Sequence, residues 1–128
     1  MKNREIYALA LAFLAECGDA TDNGDYEERA GYLISAFCSE VLFVHKRFAE
    51  SVGAAYPTDI PMYLSPDDPF PLCERFASAA GAYLAAMLVL EEDAELSDKL
   101  FARYCDGIAS ICSGSPMQHE KIVNRYPG

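Results

Sequence analysis

The stretch Phe76–Leu90, FASAAGAYLAAMLVL, contains fifteen residues and no charged side chain. As an α-helix it would be about 22 Å long, because each residue adds ~1.5 Å. A helix needs roughly 20 apolar residues to cross a bilayer, so this stretch is too short for a membrane span. A helix that is apolar on all sides has to be covered on all sides. We therefore predict a central core helix over 71–92, with the other helices wrapped around it.

The central stretch has two different faces. Ala77, Gly81 and Ala85 recur every four residues and so share one face, which is smooth enough for another backbone to approach closely. The bulky side chains form a stripe on a different face: Phe76, Tyr83, Met87 and Leu90. None of these residues belongs to a recognisable catalytic or metal-binding motif. The stretch therefore predicts a structural role and no catalytic or metal-binding site.

Length and charge limit the class of protein. With 128 residues we expect one domain over 1–128, with a core at about 4–113 and an extended tail over 115–128. The hydrophobic content of 52% argues against intrinsic disorder. The net charge is −10, from 20 acidic and 10 basic residues. Because nucleic-acid affinity comes mainly from cations on phosphates, we expect no specific nucleic-acid binding and no anionic membrane partner.

Three further helices flank the central one in the predicted order. Apolar residues at helical spacing predict helices over 4–17, 26–52 and 94–113, with Asn3 as the N-cap of the first. The acidic residues Glu91, Glu92 and Asp93 favour the start of the last helix. Because the break before residue 94 is short, the last two helices should form an antiparallel hairpin. The predicted fold class is all-α, with about four helices.

A proline-rich loop separates the second helix from the central one. Five of the chain's seven prolines lie between residues 53 and 71, which excludes a helix and predicts a long loop over 53–70 with a short strand at 61–64. Two interpretations remain open. The loop is either an ordered crossover on the core or an arm that reaches a neighbouring subunit. In the second case its apolar residues are interface candidates: Tyr56, Ile60, Met62, Tyr63 and Leu64.

The tail after residue 114 is locally basic and partly apolar. Ile122, Val123 and Tyr126 read as an extended segment and are the remaining interface candidates. Such a tail can add as a strand to its own domain or to a neighbour. The alternative is a frayed end.

Catalytic and metal-binding signatures are absent from the sequence. There is no glycine-rich phosphate loop, no G-x-S-x-G turn and no H-E-x-x-H helix. We therefore expect that the protein is not an enzyme and binds no cofactor. We expect the side chain of His45 to be partly exposed and not to be a metal ligand. A calcium loop starting at Asp19 would need a glutamate at its twelfth position, where Ala30 stands. The five cysteines form no C-x-x-C pair and are expected to be reduced core thiols rather than zinc ligands.

The order of several short features resembles a known family. These features are YEERAGYLI at the start of a long helix (26–34), PMYL in the proline-rich loop (61–64), YLAAML and then LEED in a helix (83–93), LSDKLFAR before Tyr104, and a tail with Ile122-Val123 and Tyr126-Pro127-Gly128. Over roughly residues 26–126 the chain resembles the small α-helical head–tail connector (neck adaptor) proteins of tailed phages and prophages. Two features differ from that family. Arg125 stands where an acidic residue is common, and the loop is richer in proline.

The resemblance implies a structural function. It implies a ring of identical subunits between portal and tail, held by loops and extended termini, without catalysis. The implied partners are further copies of this chain and the portal or tail proteins, in the cytoplasm of a bacterial host or in the virion neck. The alternative is a small acidic module that binds or inhibits a basic protein, because its size and charge would suit that function equally well.

Overall fold

The computed structural model describes residues 1–16 and 24–113, and these residues form four α-helices and no β-strand. Helix α1 spans Asn3–Glu16 and α2 spans Gly24–Val52. A 3-10 turn at Glu74–Phe76 leads into α3, Ala77–Val89, and α4 follows at Ala94–Ser113. The predicted all-α class is confirmed, and α4 has the predicted bounds. The predicted extended tail over 115–128 lies outside the described residues.

Helix α3 is the centre of the molecule, as predicted. It contacts α1, α2 and α4, and eleven of its thirteen residues are buried. Its smooth face packs on α1 at Gly81, where an added Cβ would lie 2.9 Å from Leu9 and 3.1 Å from Phe13. The close approach of two helices therefore depends on a residue without a side chain, as the spacing of small residues indicates.

The central helix is shorter at its start than the predicted 71–92. Cys73 is extended (φ −71°, ψ 160°), so the helix cannot include it. The amide of Cys73 donates a hydrogen bond to Nε2 of His45 on α2 over 3.3 Å. This bond holds the end of the loop against α2 and sets the point where helical structure begins.

At its other end the central helix stops at Val89, three residues before the predicted end at residue 92. The amides of Glu92 and Asp93 both donate to the carbonyl oxygen of Val89, at 3.0 and 2.8 Å, and close the last turn. The carboxylate of Asp93 then accepts from the amide of Leu96 at 3.1 Å. Asp93 is thus the N-cap of α4, in agreement with the prediction that the acidic corner begins the next helix.

Helices α3 and α4 form an antiparallel hairpin. The hydroxyl of Ser97 donates to the carbonyl oxygen of Ala86 at 2.8 Å. Seven residues further along α4, the ring of Tyr104 lies 5.2 Å from that of Tyr83. Residue numbers rise along one helix as they fall along the other, so the predicted hairpin is confirmed.

The proline-rich loop is an ordered crossover on the chain's own body. Its backbone bonds to the start of α1, with the amides of Asn3 and Arg4 donating to carbonyl oxygens of residues 68 and 66 at 3.0 Å each. The amide of Leu64 donates to the carbonyl oxygen of Gly31 on α2 at 3.2 Å. The strand predicted at 61–64 was wrong, because the backbone there bonds to a helix rather than to another strand. Asn3 is the first residue of α1, not its cap.

Candidate interaction surface

An aromatic cluster fixes α2 on the hairpin. The ring of Phe37 lies 5.7 Å from that of Tyr83 and 5.9 Å from that of Tyr104. The hydroxyl of Tyr104 donates to a carboxylate oxygen of Glu40 at 3.2 Å. The cluster therefore joins α2, α3 and α4 through ring contacts and a hydrogen bond at its edge.

Burial is the main cause of two pKa shifts in this cluster. It raises the pKa of both Tyr83 and Tyr104, and the negative charge of Glu40 and its hydrogen bonds to the tyrosines raise it further. Both phenols therefore hold their protons more tightly than an ordinary tyrosine, whose pKa is 10. Neutral donors facing a carboxylate make this a structural cluster rather than a nucleophilic site.

An exposed apolar surface lies where the loop crosses α2. The side chains of Tyr32, Met62 and Tyr63, which we call the Tyr63 patch, are 55%, 83% and 44% exposed. The rings of Tyr32 and Tyr63 are 4.9 Å apart. Gly31 lies directly beneath, because a Cβ there would be only 2.3 Å from the ring of Tyr63. Helix and loop together therefore expose apolar side chains at one crossing point, where a partner could cover them.

The interface candidates from the sequence have different positions. Met62 and Tyr63 are on the surface, whereas Leu64 is buried in the chain's own core. Ile60 is half-buried and packs against that core, and Tyr56 is half-buried with the ammonium of Lys46 5.8 Å from its ring. The other candidates lie outside the described residues: Ile122, Val123 and Tyr126.

Two exposed aromatic residues of α2 were not among these candidates. Tyr32 belongs to the Tyr63 patch, and Phe43 is 68% exposed with the guanidinium of Arg47 5.8 Å from its ring. Both lie off the stripe of apolar residues that α2 buries. The helical spacing of that stripe was a signal that could have identified them.

An acidic edge forms where the start of α2 meets the corner between α3 and α4. The hydroxyl of Tyr26 donates to the carboxylate of Glu92, and Arg29 donates to the carbonyl oxygen of Met87 at 3.1 Å. These bonds bring the first turns of α2 next to the corner between α3 and α4, and both segments carry exposed acidic residues: Asp25, Glu27 and Glu28 in the first, and Glu91, Glu92 and Glu95 in the second. The edge presents carboxylates to solvent and could bind a basic partner.

His45 and the cysteines differ from their predicted placement. His45 is 4% exposed, so the prediction of a partly exposed side chain was wrong. Its ring packs edge-on against Phe76 at 5.4 Å, which covers it. Of the described cysteines only Cys38 is fully buried, where burial raises its pKa to about 12, while Cys105 is exposed. The prediction of core thiols therefore holds for Cys38 and fails for Cys105.

Acid should destabilise the fold through His45. Burial lowers its pKa from the ordinary 6.5, so the folded state keeps it neutral while the unfolded chain takes up a proton. Stability should therefore fall as the pH drops through about 6.5 and stop falling below the folded-state pKa. Urea unfolding across this range should show a dependence that His45→Phe removes.

The matched control for this prediction is the second histidine. His119→Gln removes the other imidazole and should leave the pH dependence of unfolding in place. If the free energy of unfolding changes equally steeply with pH in wild type and in His45→Phe, then His45 is not the group whose protonation destabilises the fold.

Metal and membrane signatures are also absent from the part of the chain that the structure describes. In residues 1–16 and 24–113, no three side chains of His, Cys, Asp or Glu are grouped to hold a metal ion. No helix within these ranges has the length and hydropathy to cross a membrane. The candidate calcium loop from Asp19 lies mainly outside them, and its twelfth position, Ala30, is buried in α2.

Comparison with known proteins identifies no relative of this chain. The chain matches no protein-family model, no curated protein and no solved structure.

Proposed function

We propose that this protein is a structural subunit that assembles with copies of itself into a ring, as a phage or prophage head–tail connector does, and that it performs no catalysis. The partners would be identical subunits together with portal or tail proteins. The protein would act in the cytoplasm of a bacterial host or in the neck of a virion.

The observation that carries this proposal is the Tyr63 patch. Met62 leaves 83% of its surface in water, and the next residue, Tyr63, is exposed and its ring contacts the exposed ring of Tyr32. Contiguous exposed apolar residues in a soluble protein are typical of interaction sites. Tyrosine and methionine are enriched at such sites over the rest of a protein surface.

Symmetry permits a closed assembly, although charge opposes it. Each copy carries a net charge of −10, so copies repel one another, and apolar surface buried between them would have to offset that repulsion. A patch on one subunit that fits a different surface on the next makes a head-to-tail contact, which closes into a ring when the rotation permits. An acidic ring would also let DNA pass without adhering to its wall.

Light scattering over a range of protein concentrations, at two salt concentrations, tests the proposal. We expect a large oligomer that persists at high salt, because salt screens the repulsion between acidic subunits and leaves apolar contacts intact. The double substitution Met62→Ser with Tyr63→Ser should weaken assembly by about tenfold or more. A chain ending after Ser115 should remain folded and no longer assemble.

A control distinguishes the patch from apolar surface in general. Leu90, at the corner after α3, is 48% exposed, so Leu90→Ser removes a comparable apolar side chain elsewhere. Leu90→Ser should leave the mass of the assembly, as measured by light scattering, unchanged. A strict monomer at every concentration, or equal losses in both variants, would contradict the proposed role of the patch.

The acidic edge favours a second candidate function, a module that binds or inhibits a basic protein. Electrostatic capture would weaken steeply with salt, because exposed charges farther apart than about 8 Å are screened at physiological ionic strength. A complex that dissociates as salt rises, formed by a monomeric protein, would favour this function over the ring.

A further inference from the structure

The proline-rich loop places one of its tyrosines against a tyrosine of α2. The ring centroids of Tyr32 and Tyr63 are 4.9 Å apart and the rings are tilted by 59°, which is a contact between two aromatic side chains. Both residues are exposed. A small oxidant in solution can therefore reach two phenols that already touch each other across the boundary between loop and helix.

Hydrogen bonds on both sides of Tyr63 hold this part of the loop on α2. The amide of Leu64 donates to the carbonyl oxygen of Gly31 at 3.2 Å. One helical turn further along α2, the hydroxyl of Ser35 donates to the carbonyl oxygen of Pro61. Gly31 also leaves the space that the ring of Tyr63 fills, because a Cβ at Gly31 would overlap that ring. The position of the ring pair is therefore set by the backbone of the loop as well as by the two side chains.

Three further features favour oxidation at this pair over other aromatic residues. Within residues 1–16 and 24–113, neither the hydroxyl of Tyr32 nor that of Tyr63 forms a hydrogen bond. The chain contains no tryptophan, so tyrosine is the aromatic side chain that a one-electron oxidant attacks most readily. The second pair of contacting tyrosines, Tyr83 and Tyr104, is buried in the core, where close packing shields the rings and leaves them little room to turn.

We propose that Tyr32 and Tyr63 are a modification site, at which a one-electron oxidant joins the loop to α2 through a dityrosine bond. The oxidant takes one electron from each phenol, and each hydroxyl releases its proton to water. The two phenoxyl radicals then form a carbon–carbon bond between their Cε positions, next to the hydroxyl carbons. Each bonded carbon gives up its hydrogen as a proton and each oxygen takes one up, which restores both aromatic rings. In total the chain loses two electrons, to two equivalents of oxidant, and two protons.

Photo-oxidation of the full chain in dilute solution, with tris(bipyridine)ruthenium and persulfate, tests this inference. We expect a single chain that is lighter by two hydrogen atoms and shows dityrosine fluorescence. Trypsin should then release two peptides as one linked product: residues 30–46, where Tyr32 is the only tyrosine, and residues 48–75. The link should survive reductant, unlike a disulfide formed by the exposed Cys105. Dityrosine found only between chains, or only in other peptides, would overturn the proposal.

The same oxidation of Met62→Ser keeps this test separate from the proposed assembly. Met62→Ser retains both tyrosines and removes apolar surface through which copies would assemble. The bond forms within one chain, so we expect it in this variant whether or not the wild type is an oligomer. Its absence from both proteins would overturn the modification site and would leave the light-scattering result for assembly unaffected.

Two matched variants locate the bond. Tyr32→Phe removes one phenol of the pair, and Tyr56→Phe makes the same change at the other tyrosine of the loop, whose ring lies near Lys46. Because only groups held in contact couple efficiently, Tyr32→Phe should lower the yield of dityrosine within one chain by about tenfold or more. Tyr56→Phe should change that yield by less than about twofold. Equal yields in Tyr32→Phe and wild type, or equal losses in both variants, would overturn the assignment.

The bond should also stabilise the fold, because it fixes the loop on α2. It would close a covalent ring between residues 32 and 63 and so restrict the unfolded chain, as a disulfide does. The purified cross-linked monomer should melt roughly 5 °C or more above the unmodified chain. An unchanged or lower melting temperature would mean that the rings have to leave their observed arrangement in order to bond, and would contradict a site that the fold itself prepares.

Discussion

Replacing Phe37 by alanine is expected to lower the free energy of unfolding by about 3–5 kcal/mol. The side chain is fully buried, and its ring lies within 6.5 Å of those of Phe70, Tyr83 and Tyr104. Removing the ring leaves a cavity at the point where α2, the loop and the hairpin meet. Urea unfolding should show a lower midpoint with an unchanged slope, because the surface exposed on unfolding changes little.

Phe43→Ala is the matched control for this prediction. It makes the same chemical change on the same helix, but Phe43 is 68% exposed. The expected loss is within about 0.5 kcal/mol, as for most surface substitutions. Similar losses in the two variants would mean that α2 presents a different face to the core from the one described above.

Local apolar patterns predicted the helices and their packing. The uncharged stretch around Gly81 required a covered central helix, and the spacing of small residues predicted the close approach of a neighbour. Helix α4 has the predicted bounds because two local signals agree, the acidic cap at Asp93 and the apolar periodicity that follows it. Such features depend on residues that are near one another in the sequence.

Features that depend on distant residues could not be predicted in the same way. His45 is buried because Phe76, thirty-one positions later, covers its ring and Cys73 donates to it. The acidic edge exists because Tyr26 bonds to Glu92 across the fold. Leu64 turns into the core because its amide bonds to α2. The loop composition alone was compatible with either an arm or a crossover, and only the long-range bonds show that the loop is held on the chain's own α1 and α2.

Gly107→Ala is the control for Gly31→Ala, a substitution that is expected to have the opposite effect on stability. A Cβ on Gly107 would meet Ala79 at 3.4 Å, an ordinary contact, and alanine is the better helix former by about 1 kcal/mol. Gly107→Ala should therefore leave stability unchanged or raise it by up to that amount. Both glycines are in helix interiors, so the backbone contribution is the same in both.

Gly31→Ala is expected to destabilise the protein by about 1–3 kcal/mol despite the gain in helix propensity. The new methyl group would lie 2.3 Å from the ring of Tyr63 and 2.7 Å from the carbonyl oxygen of Leu64. The ring can rotate away, but the backbone carbonyl can move only if the loop moves with it. Hydrogen exchange should therefore increase at residues 60–66, and assembly through the Tyr63 patch should weaken. If Gly31→Ala instead stabilises the protein as Gly107→Ala does, the loop cannot lie as close to α2 as this structure places it.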